Sequence, residues 1–353
     1  MHLDIPLLAG LLLLCVLGLL VLYSASGQSQ AQVIAQSVRL AVAVLAMVFL
    51  AQIPPAIYRR WAWAAYALGL ILLTLVLIAG ESGKGAQRWI NIGIRFQPSE
   101  IMKIAVPMMC ASYLHTRPLP PNFRALVAVC VIIVLPVLLI ARQPDLGTAI
   151  LIAAAGGAVI LLAGLRFRVL LAILGLVALS LPVLWQNMHE YQRQRVLTMV
   201  DPQSDPLGAG YNIIQSKIAI GSGGLFGKGW TNGSQGQLEY LPERSTDFIF
   251  AVIGEEFGLM GLASLMLLYL FVVARGLFIA SQASDTFSRL LAGSISLTFF
   301  VYVIVNSAMV TGLLPVVGVP LPLISYGGTS MVTLMGAFGI LMSIQTHKRL
   351  LPR

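Results

Sequence analysis

The sequence predicts an all-α polytopic integral membrane protein, on three observations. Hydrophobic residues make up 58% of the chain and charged residues only 10%, where an ordinary globular domain carries roughly 25% charge. Apolar runs close to the ~20 residues that cross a bilayer recur from end to end. The basic residues are scattered through short connections between those runs. The formal charge of +9 therefore reflects membrane topology and gives no support to nucleic-acid binding.

About ten spans of bilayer-crossing length are expected, near residues 5–23, 33–51, 61–78, 98–114, 125–140, 148–165, 169–185, 248–274, 290–310 and 329–346. The first run is followed by Ser24, Ala25 and Ser26, as a cleaved signal would be. It lacks a basic leader and is long enough to span, so it reads as an uncleaved first helix. With the N-terminus inside, the inner connections hold Arg59, Arg60, Arg117, Arg124, Arg166, Arg168, Arg275, Arg289, Lys348, Arg349 and Arg353, against only Asp4 and Asp285. The positive-inside rule then predicts both termini in the cytoplasm.

The whole chain, 1–353, reads as one membrane domain, with a large extracytoplasmic loop at 186–247 between spans seven and eight. Loops of that length are usually functional or disordered, and this one is not of low complexity. Cys15, Cys110 and Cys130 fall inside apolar runs without a CxxC or His partner, as buried small hydrophobes do.

Most acids fall outside or within the membrane under this topology, so the polar chemistry is expected on the outer face. The stretch 238–256, LEYLPERSTDFIFAVIGEE, runs a charged segment straight into an apolar helix with Asp247 at the hinge. Asp247 is a helix cap, a reactive group or both. Glu239, Glu243, Arg244, Glu255 and Glu256 crowd around it in a chain poor in charge, and ionisable groups at a bilayer edge mark sites by default.

Span four opens with Pro98 and places Glu100 and Lys103 one turn apart on one face. The pair reads equally as a structural ion pair or as part of a site. Upstream, 80–85 lacks the spacing of a nucleotide-binding loop, and Arg88 and Arg95 are cations placed to hold an anionic headgroup. Arg142 is expected to pair with Asp145.

The glycine-rich run 221–236 would either bring backbone amides to a phosphate or form tight turns. Trp230 and Tyr240 suit a membrane interface. The uncharged stretch 311–328 contains Pro315, Pro320 and Pro322, which forbid a regular helix and predict a re-entrant or cavity-lining segment. Asn306, just before it, bonds a neighbouring helix or a ligand. His2, His115, His189 and His347 are dispersed, and no nucleophilic triad or zinc spacing occurs.

Six motifs occur in order: GAQRWINIG at 85–93, QPSEIMK at 97–103, QPDLGT at 143–148, GKGW at 227–230, LPERSTDFIFAVIGEEFG at 241–258 and GLLPVVGVPLPLISYGG at 312–328. Together they resemble the shape, elongation, division and sporulation (SEDS) family of cell-wall proteins. The ending MSIQTHKR at 342–349 is more similar to its elongation branch than to its division branch.

The resemblance implies a ten-span peptidoglycan glycosyltransferase in the bacterial cytoplasmic (inner) membrane, polymerising lipid II at the outer face for elongation and rod shape. It implies Asp247 as the essential acid, Arg95 and Lys103 as important cations, and Glu100 as the partner of Lys103. Arg88 joins the expected diphosphate-binding set, with Glu255 and Asn306 in supporting positions. The implied partners are lipid II, a class B penicillin-binding protein, other elongation-complex proteins and membrane lipids. No metal ligand set or resident cofactor is expected, although a divalent cation between carboxylate and diphosphate is compatible with the chemistry. Two other readings are a flippase for lipid-linked precursor and a scaffold for the penicillin-binding protein. Intramembrane charges and broken helices suit a flippase too, but the polar cluster lies on one side.

Overall fold

The computed structural model describes residues 2–83, 86–91, 95–165, 171, 175, 179–180, 182, 185–186, 188, 190–205, 208–234 and 240–347. Its elements are α1 (Ile5–Ala25), α2 (Gln30–Ala51), α3 (Pro55–Ala79), β1 (Glu81–Gly83), β2 (Ala86–Asn91), β3 (Arg95–Phe96), α4 (Pro98–His115), α5 (Phe123–Arg142), α6 (Leu146–Leu162), α7 (Glu190–Val200), α8 (Ala209–Gly223), α9 (Ile249–Ser281), α10 (Thr286–Val310) and α11 (Thr329–Thr346). The expected span at 169–185 lies largely outside the described residues.

Helix starts follow local chemistry. Asp4, Ser29, Asn122, Asp145 and Asp285 each accept a backbone N–H through the side chain at the first turn of α1, α2, α5, α6 and α10, relieving the orphan donors of a helix start. Pro6, Pro55 and Pro98 add the preset φ of an early helical position.

Seven of these helices, α1, α2, α3, α5, α9, α10 and α11, are long and apolar enough to cross a membrane. The 17-residue α6 is apolar but shorter, and the apolar run of α4 is diluted by Ser99, Glu100 and Lys103. Helix α10 is central, packed against α4, α6, α9 and α11. Its interior hydroxyls are satisfied within the bundle: Ser294 donates to the Ala155 carbonyl at 2.7 Å and Thr298 to that of Ser294 at 2.7 Å. Cys15 and Cys110 are buried, and all three cysteines are free thiols.

A small antiparallel sheet of order β1-β2-β3 fills the connection between α3 and α4, pairing Ser82 with Gln87 and Asn91 with Arg95. No strand is expected in this stretch from sequence. Its segments are only three, six and two residues long, too short for period-two alternation to stand out.

Helix α9 is interrupted at Gly258, whose φ of 66° and ψ of −162° are not helical. A continuous helix would bond the amides of 259 and 260 to the carbonyls of 255 and 256. Here the loop after α8 takes both sides of those two bonds. The Leu259 and Met260 amides donate to the Gly224 and Leu225 carbonyls at 2.9 and 3.0 Å, while Lys228 and Gly229 donate to the Glu255 and Glu256 carbonyls at 3.0 Å each. Gly224, Gly227 and Gly229 all have positive φ. Within the described part of the glycine-rich run, 221–223 closes α8 and the residues after it turn, and the phosphate-cradle alternative falls away at Lys228 and Gly229, whose amides are used inside the protein.

A side chain at Gly258 would meet the Leu225 carbonyl oxygen at 2.7 Å and require a left-handed backbone. Gly258→Ala is expected to destabilise the protein by about 1–3 kcal/mol or more, read as a lower thermal midpoint in detergent; an unchanged midpoint would show that the break is not fixed by this contact.

Candidate functional site

Asp247 lies in a half-buried turn immediately before α9. The N-cap position of α9 belongs to Phe248, with no side-chain cap bond. Asp247 stands one residue ahead of that position, and its carboxylate faces the irregular segment 311–328. Oδ2 is 3.5 Å from where a Cβ on Gly318 would stand, and Gly318 has a φ of 73°. A larger residue there would crowd the carboxylate as well as strain the backbone.

Three consecutive carbonyls fix this turn. The Ser245 carbonyl accepts the Tyr326 amide at 2.8 Å, that of Thr246 accepts the Ser325 hydroxyl at 2.5 Å, and that of Asp247 accepts the Asn306 side-chain amide at 2.9 Å. Asn306, fully buried in α10, also donates to the Val319 carbonyl at 2.7 Å. It ties the acid-bearing turn to the irregular segment, a structural role of the kind the sequence had left open.

The segment itself enters the protein interior. Val319, Leu321, Leu323, Ile324 and Ser325 are buried, and the Pro322 carbonyl accepts the fully buried Tyr269 hydroxyl at 2.6 Å. Gly147 of the QPDLGT motif packs against it, since a Cβ there would lie 2.9 Å from the Val317 carbonyl oxygen. Proline and irregular backbone are tolerated at this depth because neighbouring helices supply the partners.

One turn earlier on the same face of α10, Tyr302 lies under Lys103, with Nζ 5.1 Å from the ring centroid. Lys103 Nζ also contacts Glu100 Oε1 at 2.6 Å, both side chains being nearly buried. Residues four apart on a helix are neighbours, roughly 5–6 Å between Cβ atoms. Helix α10 thus carries the Lys103 pair and the Asp247 turn on adjacent positions, 302 and 306. Beneath Lys103 is a cavity of about 20 Å³, lined mainly by apolar side chains of α10 and α11, which is room for one water. Glu100 Oε2 is buried without a hydrogen-bond partner among the described residues.

The remaining sequence candidates separate. Arg88 Nη1 lies 3.6 Å from Asp145 Oδ1, while Asp145 also accepts Gln97 Nε2 at 3.0 Å and the Thr148 hydroxyl at 2.9 Å. The expected Arg142–Asp145 pair is corrected, because Asp145 turns toward β2 and the start of α4 and Arg142 is exposed. Arg95 takes its place in β3 opposite Asn91, and its side chain lies outside the described residues. Glu255 is fully buried and meets Lys228 Nζ at 2.7 Å and the Ser234 hydroxyl at 3.1 Å. It fastens the glycine-rich loop to α9, two turns along from Asp247. Tyr302 and Ser325 were missed in sequence; both belong to apolar or uncharged runs, where nothing local distinguishes them from core.

Among the described residues, no group of three or more His, Cys, Asp or Glu side chains could hold a metal ion. The assembled features are a positioned carboxylate, a buried cation and a half-open polar turn, a set able to deprotonate a hydroxyl and balance phosphate charge.

Known proteins resemble this chain over most or all of its length. The chain is 53% identical over 354 residues to Escherichia coli (strain K12) peptidoglycan glycosyltransferase MrdB, covering 100% of this chain and 96% of that one. It is 41% identical over 305 residues to a probable peptidoglycan glycosyltransferase FtsW of Trichlorobacter lovleyi, covering 84% and 78%. Among solved structures, it resembles a chain of a peptidoglycan synthase complex that coordinates polymerization and crosslinking, with a TM-score of 0.84, 33% identity and 97% coverage of both chains. It also resembles the rod shape determining protein RodA of Thermus thermophilus, with a TM-score of 0.75, 27% identity and 98% coverage of both. The family profile described as cell cycle protein, covering FtsW, RodA and SpoVE, matches residues 5–350. A polytopic helical chain whose Asp247 turn and Lys103 both contact one central helix, matched over its full length in these ways, belongs to the FtsW, RodA and SpoVE family of cell cycle proteins.

Proposed function

We propose that the chain is a peptidoglycan glycosyltransferase that polymerises lipid II at the outer face of the cytoplasmic (inner) membrane during elongation, with Asp247 as its general base. The names of the full-length relatives support the reaction class. The observation that carries the residue assignment is the fixation of the Asp247 turn through three consecutive carbonyls, beside a segment half open at residues 326–330. A catalytic carboxylate needs its rotamer and backbone held by surrounding bonds.

The acceptor is the 4-hydroxyl of a GlcNAc unit, which attacks the donor sugar C1 as the lipid diphosphate leaves, with inversion. Aspartate has an ordinary pKa of about 3.9, far below a sugar hydroxyl. Proton transfer to Asp247 is therefore concerted with attack. Lys103 and Arg95 receive the charge of the departing diphosphate, Lys as a point charge and Arg as a bidentate fork. Arg88, already engaged by Asp145, stands at the edge of this set. Glu100 holds Lys103 within one turn of helix, while Glu255 and Asn306 support the loop and the turn. The residues require no resident cofactor, and a divalent ion accompanying the diphosphate is compatible with them.

The topology that serves this reaction has about ten spans, both termini cytoplasmic and the 186–247 loop outside, all in a single membrane domain. The stacking of His2 on His347, with ring centroids 3.9 Å apart, supports placing both ends on one side. The partners are lipid II, membrane lipids, a class B penicillin-binding protein supplying crosslinking, and other proteins of the elongation complex. Resemblance to a chain from a synthase complex supports the pairing.

Two outcomes test the assignment. Asp247→Asn should reduce the glycan ladder made from labelled lipid II by about 10²–10⁴-fold, in the presence of a partner whose own chemistry is inactivated, with expression near normal. Retained turnover would remove the base; no ladder from the unmodified chain, together with precursor crossing vesicles, would favour the flippase. Lys103→Met should cost about 3–5 kcal/mol by leaving Glu100 buried and unpaired. Glu100→Leu combined with Lys103→Met should recover most of the thermal midpoint without restoring polymerisation, and restored activity would dismiss Lys103 from phosphate binding.

A further inference from the structure

Arg39 lies in the interior of α2, nine residues or roughly 14 Å of helix from Gln30. Its guanidinium carbon is 4.5 Å above the ring of Tyr326, and its stem passes Gly328, with Cδ and Nε each 3.8 Å from where a Cβ on that glycine would stand. An arginine within a span is costly unless its charge is met. Lys103, Arg88, Lys228 and Arg275 each meet a carboxylate. Arg39 meets none among the described residues, and its only charge-balancing contact is a ring face.

The surroundings are built and open. One turn before Arg39, the buried Gln36 donates to the Ser325 carbonyl at 3.3 Å and accepts the Gly327 amide at 3.4 Å, so α2 braces the Tyr326 turn. That turn is the one whose Ser325 and Tyr326 hold the carbonyls of Thr246 and Ser245. Residues 326 to 330 and Arg39 are all partly exposed. A guanidinium is thus presented beside the site at membrane depth, on the α2 side, whereas Lys103 reaches it from α4 and is screened by Tyr302.

We infer that Arg39 and the Tyr326–Gly328 turn bind a lipid-borne diphosphate distinct from the one served by Lys103. The inference rests on the polymerase reading, in which two lipid-linked saccharides must be held at once and each carries a diphosphate. The planar fork of arginine matches phosphate oxygens, and Tyr326 presets its plane. An isolated cation inside a span is explained by an anion that arrives with a lipid, and the reaction supplies one.

The test is native mass spectrometry of the detergent-purified chain with undecaprenyl diphosphate, with phosphatidylglycerol and inorganic pyrophosphate as comparison ligands. Two copies of undecaprenyl diphosphate are expected on the unmodified chain and one on Arg39→Gln. Arg39→Lys, which keeps the charge without the fork, should hold the second copy at least threefold more weakly and covers the case in which the glutamine variant does not fold. In polymerisation assays Arg39→Lys should raise the apparent KM for lipid II more than it lowers kcat. Two copies retained on Arg39→Gln, or an Arg39-dependent copy displaced equally by phosphatidylglycerol, would overturn the inference. Binding is read without turnover, so an unmodified chain that binds two copies but makes no glycan would instead fault the polymerase reading.

Discussion

Backbone polar groups at membrane depth have no water to bond, and each place where this chain leaves the helix must supply partners from within. Two such places shape the molecule. At Gly258, two helical bonds of α9 are exchanged for four bonds to the loop after α8. At 311–328, a proline-interrupted segment enters the bundle, where Asn306, Tyr269 and Ser325 satisfy it. The first fastens the loop after α8 to the helix that begins beside Asp247; the second places a turn against Asp247 itself.

Charge follows the same rule. Glu255 accepts from Lys228 and Ser234, Glu100 accepts from Lys103, and Asp145 gathers Arg88, Gln97 and Thr148. Breaking one member of such a pair costs more than removing both, because the survivor remains buried and charged. These pairs also connect motifs far apart in sequence: QPDLGT meets QPSEIMK through Asp145 and Gln97, and meets the irregular segment through Gly147. Helix α10 joins the set, since Tyr302 and Asn306 occupy successive turns beneath Lys103 and Asp247.

Sequence alone determined the membrane class, the positions of most helices and the proline-interrupted segment, and it singled out Asp247, Glu100 and Lys103 as candidates. Hydropathy, proline and the rarity of charge are local properties, legible without a fold. Tertiary structure alone decided that Asp247 stands ahead of the helix cap, that Asp145 chooses Arg88 over Arg142, and that the connection at 81–96 forms strands. It also placed Tyr302 under Lys103, Ser325 against the Thr246 carbonyl and Arg39 over Tyr326. Each of these depends on which distant group satisfies a carbonyl or a charge, and that choice is made by packing between helices, which no local pattern in the chain records.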